Sequence, residues 1–586
     1  MIPSIAPDER AQFRVLYRNF IARIVDLELL SSRGDIGKLL AQLMAIVAAY
    51  NFTVALCFAP RFGVARIAQE KLMFIAWNDV EFLIATTLAI AGLFSVLAWN
   101  AVLPDRRDCI VLGLLPLRTR TIFGAKVAAL GAALGIAVAA GNVFTGICYP
   151  FIVARAPGML AVFRALLAYW TATAAAGLFI CCALIAVQGL AAQLLPRRTF
   201  LKLSSFLQIA ALFVIVGVYF IEPPLPVTPE MRVRTIQGLF TYLPSFWFFG
   251  LFQKLNGADD PAFTALAGRA LWSIAIAFTA AAGSFAVAYG RSMRKIVEQP
   301  DITPGYHRRG WSLPVSGLLG RPFDRAVLLF IARTLARSRQ HRLMLSVYAG
   351  IGLGIALVYA KDLLYGRARS MWDPIYARFG AHESWDEVNI AFLVTSLVLL
   401  AFGVIGARAV FALPATLPAN WIFRVTAVQG PAAYFFAVRR ALYCLTAVPV
   451  WTASALFYFA VWPVIAALEH VAVLFAVGVT LIEVSLHGFR KLPFACSYVP
   501  GKTNIHVKLG IWSILFLFVT DRGSAIEFWA MERPERFLVF FAILLGIAAW
   551  ARRRTSDFAS TPYDDLQFED SLPAAVDPLV LLNENA

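Results

Sequence analysis

The sequence predicts an all-α polytopic integral membrane protein of about twelve transmembrane helices, arranged as two pseudo-repeated six-helix halves. Three observations carry this. First, 60% of the 586 residues are hydrophobic and the mean hydropathy is +0.72. A soluble domain is roughly 45–50% apolar, so the excess has no soluble core to enter and lipid must be its solvent. Second, long apolar runs alternate with short polar ones. Third, Lys and Arg gather on every second polar segment. Segments 1–38, 102–126, 191–202, 291–342, 408–440, 487–508 and 551–586 hold 36 Lys+Arg against 17 Asp+Glu, a net of +19, whereas the segments between them hold 16 against 17. An excess of Lys and Arg marks the cytoplasmic side of a membrane, so both termini are predicted to be cytoplasmic.

A helix needs about 20 apolar residues to cross the hydrocarbon. The predicted spans are 39–59, 81–101, 127–146, 165–190, 203–221, 270–290, 343–360, 388–407, 441–465, 471–489, 509–520 and 537–551. The eleventh is about 18 Å long at 1.5 Å per residue, short of a full crossing; it re-enters, or it continues through Gly523–Trp529. The first apolar run follows a long charged segment, so it reads as an uncleaved anchor rather than a signal peptide.

These spans divide the chain into a cytoplasmic amphipathic helix (1–38), a first six-span half (39–290), a basic cytoplasmic linker with its own amphipathic helix (291–342), a second six-span half (343–551) and a disordered acidic tail (552–586). In the first amphipathic helix Arg10, Arg14 and Arg18 recur every four residues, and Phe13, Leu16, Phe20, Ile24 and Leu27 every three to four. In the second, Arg325, Arg333 and Arg337 share one face while Leu328, Ile331 and Leu335 share another. This spacing gives one apolar and one charged face, suited to the membrane interface. A duplicated unit accounts for one such helix before each set of six spans. Outside the membrane, Tyr242–Leu255 is dense in aromatics and reads as a short interfacial or re-entrant helix.

The chemistry is mostly one of exclusions. PGKT at Pro500–Thr503 lacks the earlier glycine of a phosphate loop, because position 496 is Cys. No cofactor, metal cluster or nucleophile elbow is expected, and the seven cysteines read as small apolar residues. The basic charge is spread over seven short loops, which argues against nucleic acid and for anionic lipid as the counter-charge. Glu483 is the one carboxylate well inside a predicted span, with His487 a turn further on. An intramembrane carboxylate is either a structural pair near the helix end or part of a proton or substrate path.

The loop after the second span, Leu103 to Lys126, reads LPDRRDCIVLGLLPLRTRTIFGAK, and its second-half counterpart, Ala412 to Arg424, reads ALPATLPANWIFR. LPLRTRTIFGAK resembles the loop between spans two and three of type 2 ABC exporter permeases. That family also has an interfacial helix before six spans and short re-entrant helices between spans five and six. The resemblance covers the layout of most of the chain but rests on a short motif, and most such permeases carry six spans rather than twelve. It implies an inner-membrane permease that moves a lipidic or amphipathic substrate, driven by a separate cytoplasmic ABC ATPase dimer. It further implies ATPase contacts at Asp105, Arg106, Arg107, Asp108, Pro116, Arg118 and Arg120, and at Pro418, Trp421 and Arg424 of the second loop, which lacks the DRRD charges. Two other readings remain: an ion-driven major-facilitator-like carrier, whose loop glycines are absent here, and a membrane-embedded lipid or glycosyl transferase using Asp386 and Glu387.

Overall fold

The computed structural model describes residues 9–25, 47–56, 69–99, 115, 117–154, 158–222, 239–298, 321–365, 386–413, 431–487, 489, 492–494 and 519–560. Among them the regular structure is helical throughout, and ten helices are long and apolar enough to cross a membrane. The protein is an all-α multi-pass membrane protein. The first expected span is described only as the helix Val47–Leu56, and the eleventh only from residue 519. The described helices belong to two compact units that divide after His307.

Unit 1 contains α1 (Glu9–Val25), α2 (Val47–Leu56), α3 (Gln69–Leu97), α4 (Thr119–Asn142), α5 (Thr145–Val153), α6 (Met159–Leu194), α7 (Arg197–Ile221), α8 (Pro244–Leu255) and α9 (Pro261–Glu298). Its amphipathic α1 lies along α4, with Leu16 and Phe20 buried against Ile122, Ala125, Ala129 and Ala133. The basic face of α1 is exposed at Arg14 and Arg18, as the spacing of its arginines predicts. The aromatic Tyr242–Leu255 stretch does form a short helix, α8, packed on α3, α6 and α9. There Phe248, Phe249 and Phe252 are buried with Trp77, Tyr169 and Phe263.

Unit 2 contains α10 (Pro322–Arg337), α11 (Arg339–Tyr365), α12 (Ile390–Phe411), α13 (Pro431–Leu442), a π turn (Tyr443–Ala447), α14 (Val448–Val461), α15 (Val464–Leu486), α16 (519–531) and α17 (Pro534–Ser560). The π turn joins α13 to α14 into one apolar rod, Ala432–Val461. The amphipathic α10 lies along α13, with Val327, Leu328 and Ile331 in the core and Arg325, Arg333 and Arg337 outside.

Several internal pairings recur. In each unit the amphipathic helix packs on the start of the third spanning helix (α1 on α4, α10 on α13), and the second spanning helix packs on the fourth (α3 on α6, α12 on α15). A short helix, α8 or α16, then directly precedes the last spanning helix. The second half of the eleventh run, Gly523–Trp529, therefore lies in a helix that sits where α8 sits in the first unit.

Two expectations are corrected. The tail is not unstructured from 552: α17 runs on to Ser560, held because Thr555 and Ala559 are buried and the Thr555 hydroxyl donates to the Glu483 carbonyl at 3.2 Å. Residues 561–586 lie outside the described set. Nor is Glu483 the only carboxylate within a span. The apolar stretch of α3 runs from Ala76 rather than from 81, which takes in the buried Asp79 and sets the buried Glu81 inside it.

Gly250 marks the closest approach of α8 to α9. A Cβ there would lie 2.3 Å from the Leu266 Cβ and 3.3 Å from the Ala267 backbone nitrogen. Gly250→Ala should therefore force the helices apart and cost about 1–3 kcal/mol, against a helix-propensity gain of about 1 kcal/mol. Thermal unfolding in detergent should show a lowered midpoint for Gly250→Ala and none for Gly217→Ala, where no atom lies within 4 Å.

Candidate functional site

The expected functional residues fall in the loops after the second spanning helix of each unit, and the structure shows how the ends of those loops are mounted. Helix α3 ends at Leu97, and a helix end leaves up to four carbonyls without partners. Two of the carbonyls at this end are taken by side chains from other helices. Gln208 Nε2 of α7 donates to the Val96 carbonyl at 2.7 Å, and Gln188 Nε2 of α6 donates to the Trp99 carbonyl at 2.8 Å. The Trp99 indole in turn donates to Ser204 Oγ at 2.9 Å. All of these side chains are buried, so the chain leaves α3 from a fixed point.

The loop returns at Arg118, which precedes α4 in an extended conformation and is exposed. Its guanidinium meets Glu9 of α1 at 2.6 Å. Two turns on, Lys126 is buried with its ammonium over the Phe20 ring, 5.6 Å from the centroid. The α1–α4 contact thus carries an exposed ion pair at its rim and a sheltered cation–π contact within. An exposed pair adds at most about 1 kcal/mol, so the apolar face of α1 does most of the holding. Arg120 is exposed. Asp105, Arg106, Arg107, Asp108 and Pro116 lie outside the described residues.

The second loop has the same kind of mount built from different chemistry. At the end of α12, His341 Nε2 lies 3.1 Å from the Leu413 carbonyl, and the Phe494 amide donates to the Phe411 carbonyl at 3.0 Å. The His341 ring stands edge-on to Phe494, with 4.9 Å between centroids. On the return side, Asp324 of α10 pairs with Arg440 of α13, and Phe323 packs edge-on to Tyr434 at 4.9 Å. Pro418, Trp421 and Arg424 lie outside the described residues.

The intramembrane carboxylate belongs to this same end of unit 2. Glu483 is fully buried. The Tyr443 hydroxyl donates to its Oε1 at 3.0 Å, and the Arg439 guanidinium stands 3.7 Å from Oε2. At that distance the second contact is a charge pair rather than a hydrogen bond. Arg439 also donates to Ser556 of α17 at 3.2 Å and lies over the Phe436 ring at 4.8 Å. Arg408 of α12 donates to the Ser485 carbonyl at 2.9 Å and covers Phe489. Three arginines therefore tie α12 and α13 to α10, α15 and α17. Tyr443 opens the π turn, and such turns often sit at functional positions.

The partners of Glu483 are Tyr443 and Arg439, not His487. His487 caps α15, is exposed, and sets its ring 5.4 Å from Phe558. The reason is that α15 ends at Leu486, so residue 487 leaves the helical face that Glu483 occupies. Sequence reasoning missed Arg439 and Tyr443. The one available signal was the coincidence of a buried carboxylate on one helix with a basic pair near the start of another. Asp386 and Glu387, the acidic pair of the transferase reading, are exposed. No group of three metal-ligating side chains occurs among the described residues.

Glu483→Gln should leave the largely buried Arg439 charge without its carboxylate and cost up to about 3 kcal/mol. A detergent unfolding series should show this loss partly reversed in Arg439→Met/Glu483→Leu, where both charges are gone. For Asp324 and Arg440, a double-mutant cycle with Ala should return a coupling of about 0.5–3 kcal/mol, and a value near zero would mean that packing alone holds α10 to α13.

No family model, no curated protein and no solved structure matches this chain.

Proposed function

We propose that the chain is the membrane-spanning permease of an ATP-binding-cassette exporter, and that a separate cytoplasmic ATPase dimer drives it. The observation that carries this reading is the mounting of the loop after the second spanning helix. One end is pinned by Gln188 and Gln208 in unit 1, and by His341 in unit 2. The other end enters a helix clasped by an amphipathic helix, through Arg118–Glu9 or Asp324–Arg440. A loop that must pass force from an outside motor into a membrane helix needs rigid attachment at both ends. A loop that serves only to connect two helices does not.

In this reading, nucleotide-driven closure of the ATPase pushes on Asp105, Arg106, Arg107, Asp108, Pro116, Arg118 and Arg120. The second loop presents Pro418, Trp421 and Arg424 in the same role. The displacement passes into α4 and α13 and from there into the cores of their units. The chain supplies no nucleotide chemistry of its own, and its cargo is a lipidic or amphipathic molecule. The basic loops face the cytoplasm, both termini lie there, and the host is a cell (inner) membrane.

A second reading has one observation in its favour. The buried Glu483, held by Tyr443 at a π turn, suits a secondary carrier that moves an ion with its cargo. The two readings separate cleanly. Mild-detergent pull-down of the tagged chain should bring a stoichiometric partner with vanadate-sensitive ATPase activity, and Arg106→Glu/Arg107→Glu should release that partner while the chain stays in the membrane. A single-chain preparation that transports under an ion gradient, and loses transport in Glu483→Gln, would instead establish the carrier.

A further inference from the structure

A second buried polar cluster lies at the opposite end of unit 2 from Glu483, where α12, α14, α15 and α16 meet. Ser396 of α12, His470 of α15 and Glu527 of α16 stand in line. Ser396 Oγ is 2.7 Å from His470 Nε2, and His470 Nδ1 is 2.7 Å from Glu527 Oε1. All three are buried, at 3%, 0% and 1% exposure. Around them pack Phe392, Leu393, Tyr458 and Trp462, closed by Phe528 and Met531 of α16. The Tyr458 ring stands edge-on to the imidazole at 4.7 Å.

A Ser–His–carboxylate line also serves acyl-transfer nucleophiles, but this serine is turned inward on its own helix. Its hydroxyl lies 3.1 Å from the Leu393 carbonyl and 3.3 Å from that of Phe392, the back-bonding usual for a serine within a helix. The arrangement instead fixes a proton. With the serine proton on a backbone carbonyl, Ser396 Oγ accepts from Nε2–H. Nδ1 then either carries a second proton facing the Glu527 carboxylate or accepts one from the protonated acid. Both descriptions hold one proton more than neutral imidazole plus carboxylate, and both leave the site electrically neutral. Loss of that proton would leave one net negative charge in an apolar cluster, where its burial is costly.

The charges among the described residues nearby do not relieve it. Among the described residues His470 is the one ion-pair partner of Glu527. Glu527 Oε2, Ser524 Oγ on the same helix and the Trp462 indole nitrogen are buried without a hydrogen-bond partner among the described residues. From α14 the facing titratable group is Tyr458, whose hydroxyl donates to the Phe392 carbonyl at 2.7 Å. On α15 it is Glu469, partly exposed and itself acidic. On α16, Asp521 takes a hydrogen bond from Tyr359 of α11 at 3.4 Å, and Arg522 is exposed beside it. Before α12, Asp386 and Glu387 are exposed. None of these brings a cation to the buried carboxylate.

We propose that Ser396, His470 and Glu527 form a proton-binding site that holds α16 closed against α12 and α15 while the proton is bound, and frees it when the proton leaves. This does not rest on the ABC reading, since it concerns only the state of α16. If opening of α16 releases one proton, its opening constant rises by up to about tenfold per pH unit. The test is hydrogen–deuterium exchange of the full chain in lipid nanodiscs between about pH 6 and pH 9, with each amide rate divided by its intrinsic rate at that pH. Protection of 519–531 should fall with rising pH in the native chain and become flat in Glu527→Gln and in His470→Gln. A flat profile in the native chain overturns the proposal whether or not the variants fold. An unchanged slope in both variants also overturns it, because the proton would then reside elsewhere.

Discussion

Within a membrane, each backbone carbonyl that loses its helical partner must find another donor or carry an unmet polar group in a medium that offers no water. That constraint organises this protein. Helices solve it along their length, and the difficulty collects where they stop. At the end of α3 the donors are two glutamine amides, Gln188 and Gln208; at the end of α12 they are His341 and the Phe494 amide; near the end of α15 Arg408 takes the Ser485 carbonyl. At the other extreme of unit 1, Asn256 takes the last carbonyl of α5, from Val153, and Arg164 takes the last carbonyl of α8, from Leu255. Helix ends met in this way become joints between helices, and the loops that leave from them inherit fixed origins.

The two units meet the same demand with different groups. In unit 1 one buried polar network is built wholly of uncharged groups. Asn51 donates to Thr145, Tyr169 to Asn142, and Asn142 to Thr87, so that α2, α3, α4, α5 and α6 share one set of amides and hydroxyls. In unit 2 the corresponding work falls to ionisable groups: Glu483 with Arg439, Asp324 with Arg440, and His470 with Glu527. A neutral, satisfied network holds at any ordinary pH. An ionised one depends on protons and on the access of water, so these two kinds of joint respond differently to pH.

Much of the architecture was legible in the sequence. Apolar run length located nearly all the spanning helices, and the spacing of Leu16 and Phe20 and of Leu328 and Ile331 identified the buried faces of α1 and α10 before any packing was known. The aromatic density of Tyr242–Leu255 marked α8. What stayed hidden is long-range or marginal. His470 and Glu527 are 57 residues apart, and Glu483 and Tyr443 are 40; no periodicity connects such pairs. Asp79 was left outside the predicted span and Glu81 at its very edge because hydropathy windows push acidic residues to the margin, although α3 keeps both buried. The end of α15 at Leu486 removed His487 from a helical face on which simple spacing had placed it. The π turn leaves no mark in composition.

That turn sets the register of the rod. A π turn is an α-helix with one residue too many, and the surplus is absorbed as a local widening rather than spread along the rod. A one-residue deletion there would restore a regular helix and turn everything before it by about 100° relative to everything after. Arg439 and Arg440 would swing away from Glu483 and Asp324 while α14 stayed in place. The surplus residue is thus the register key between the membrane-buried half of this rod and the basic half that carries the second loop.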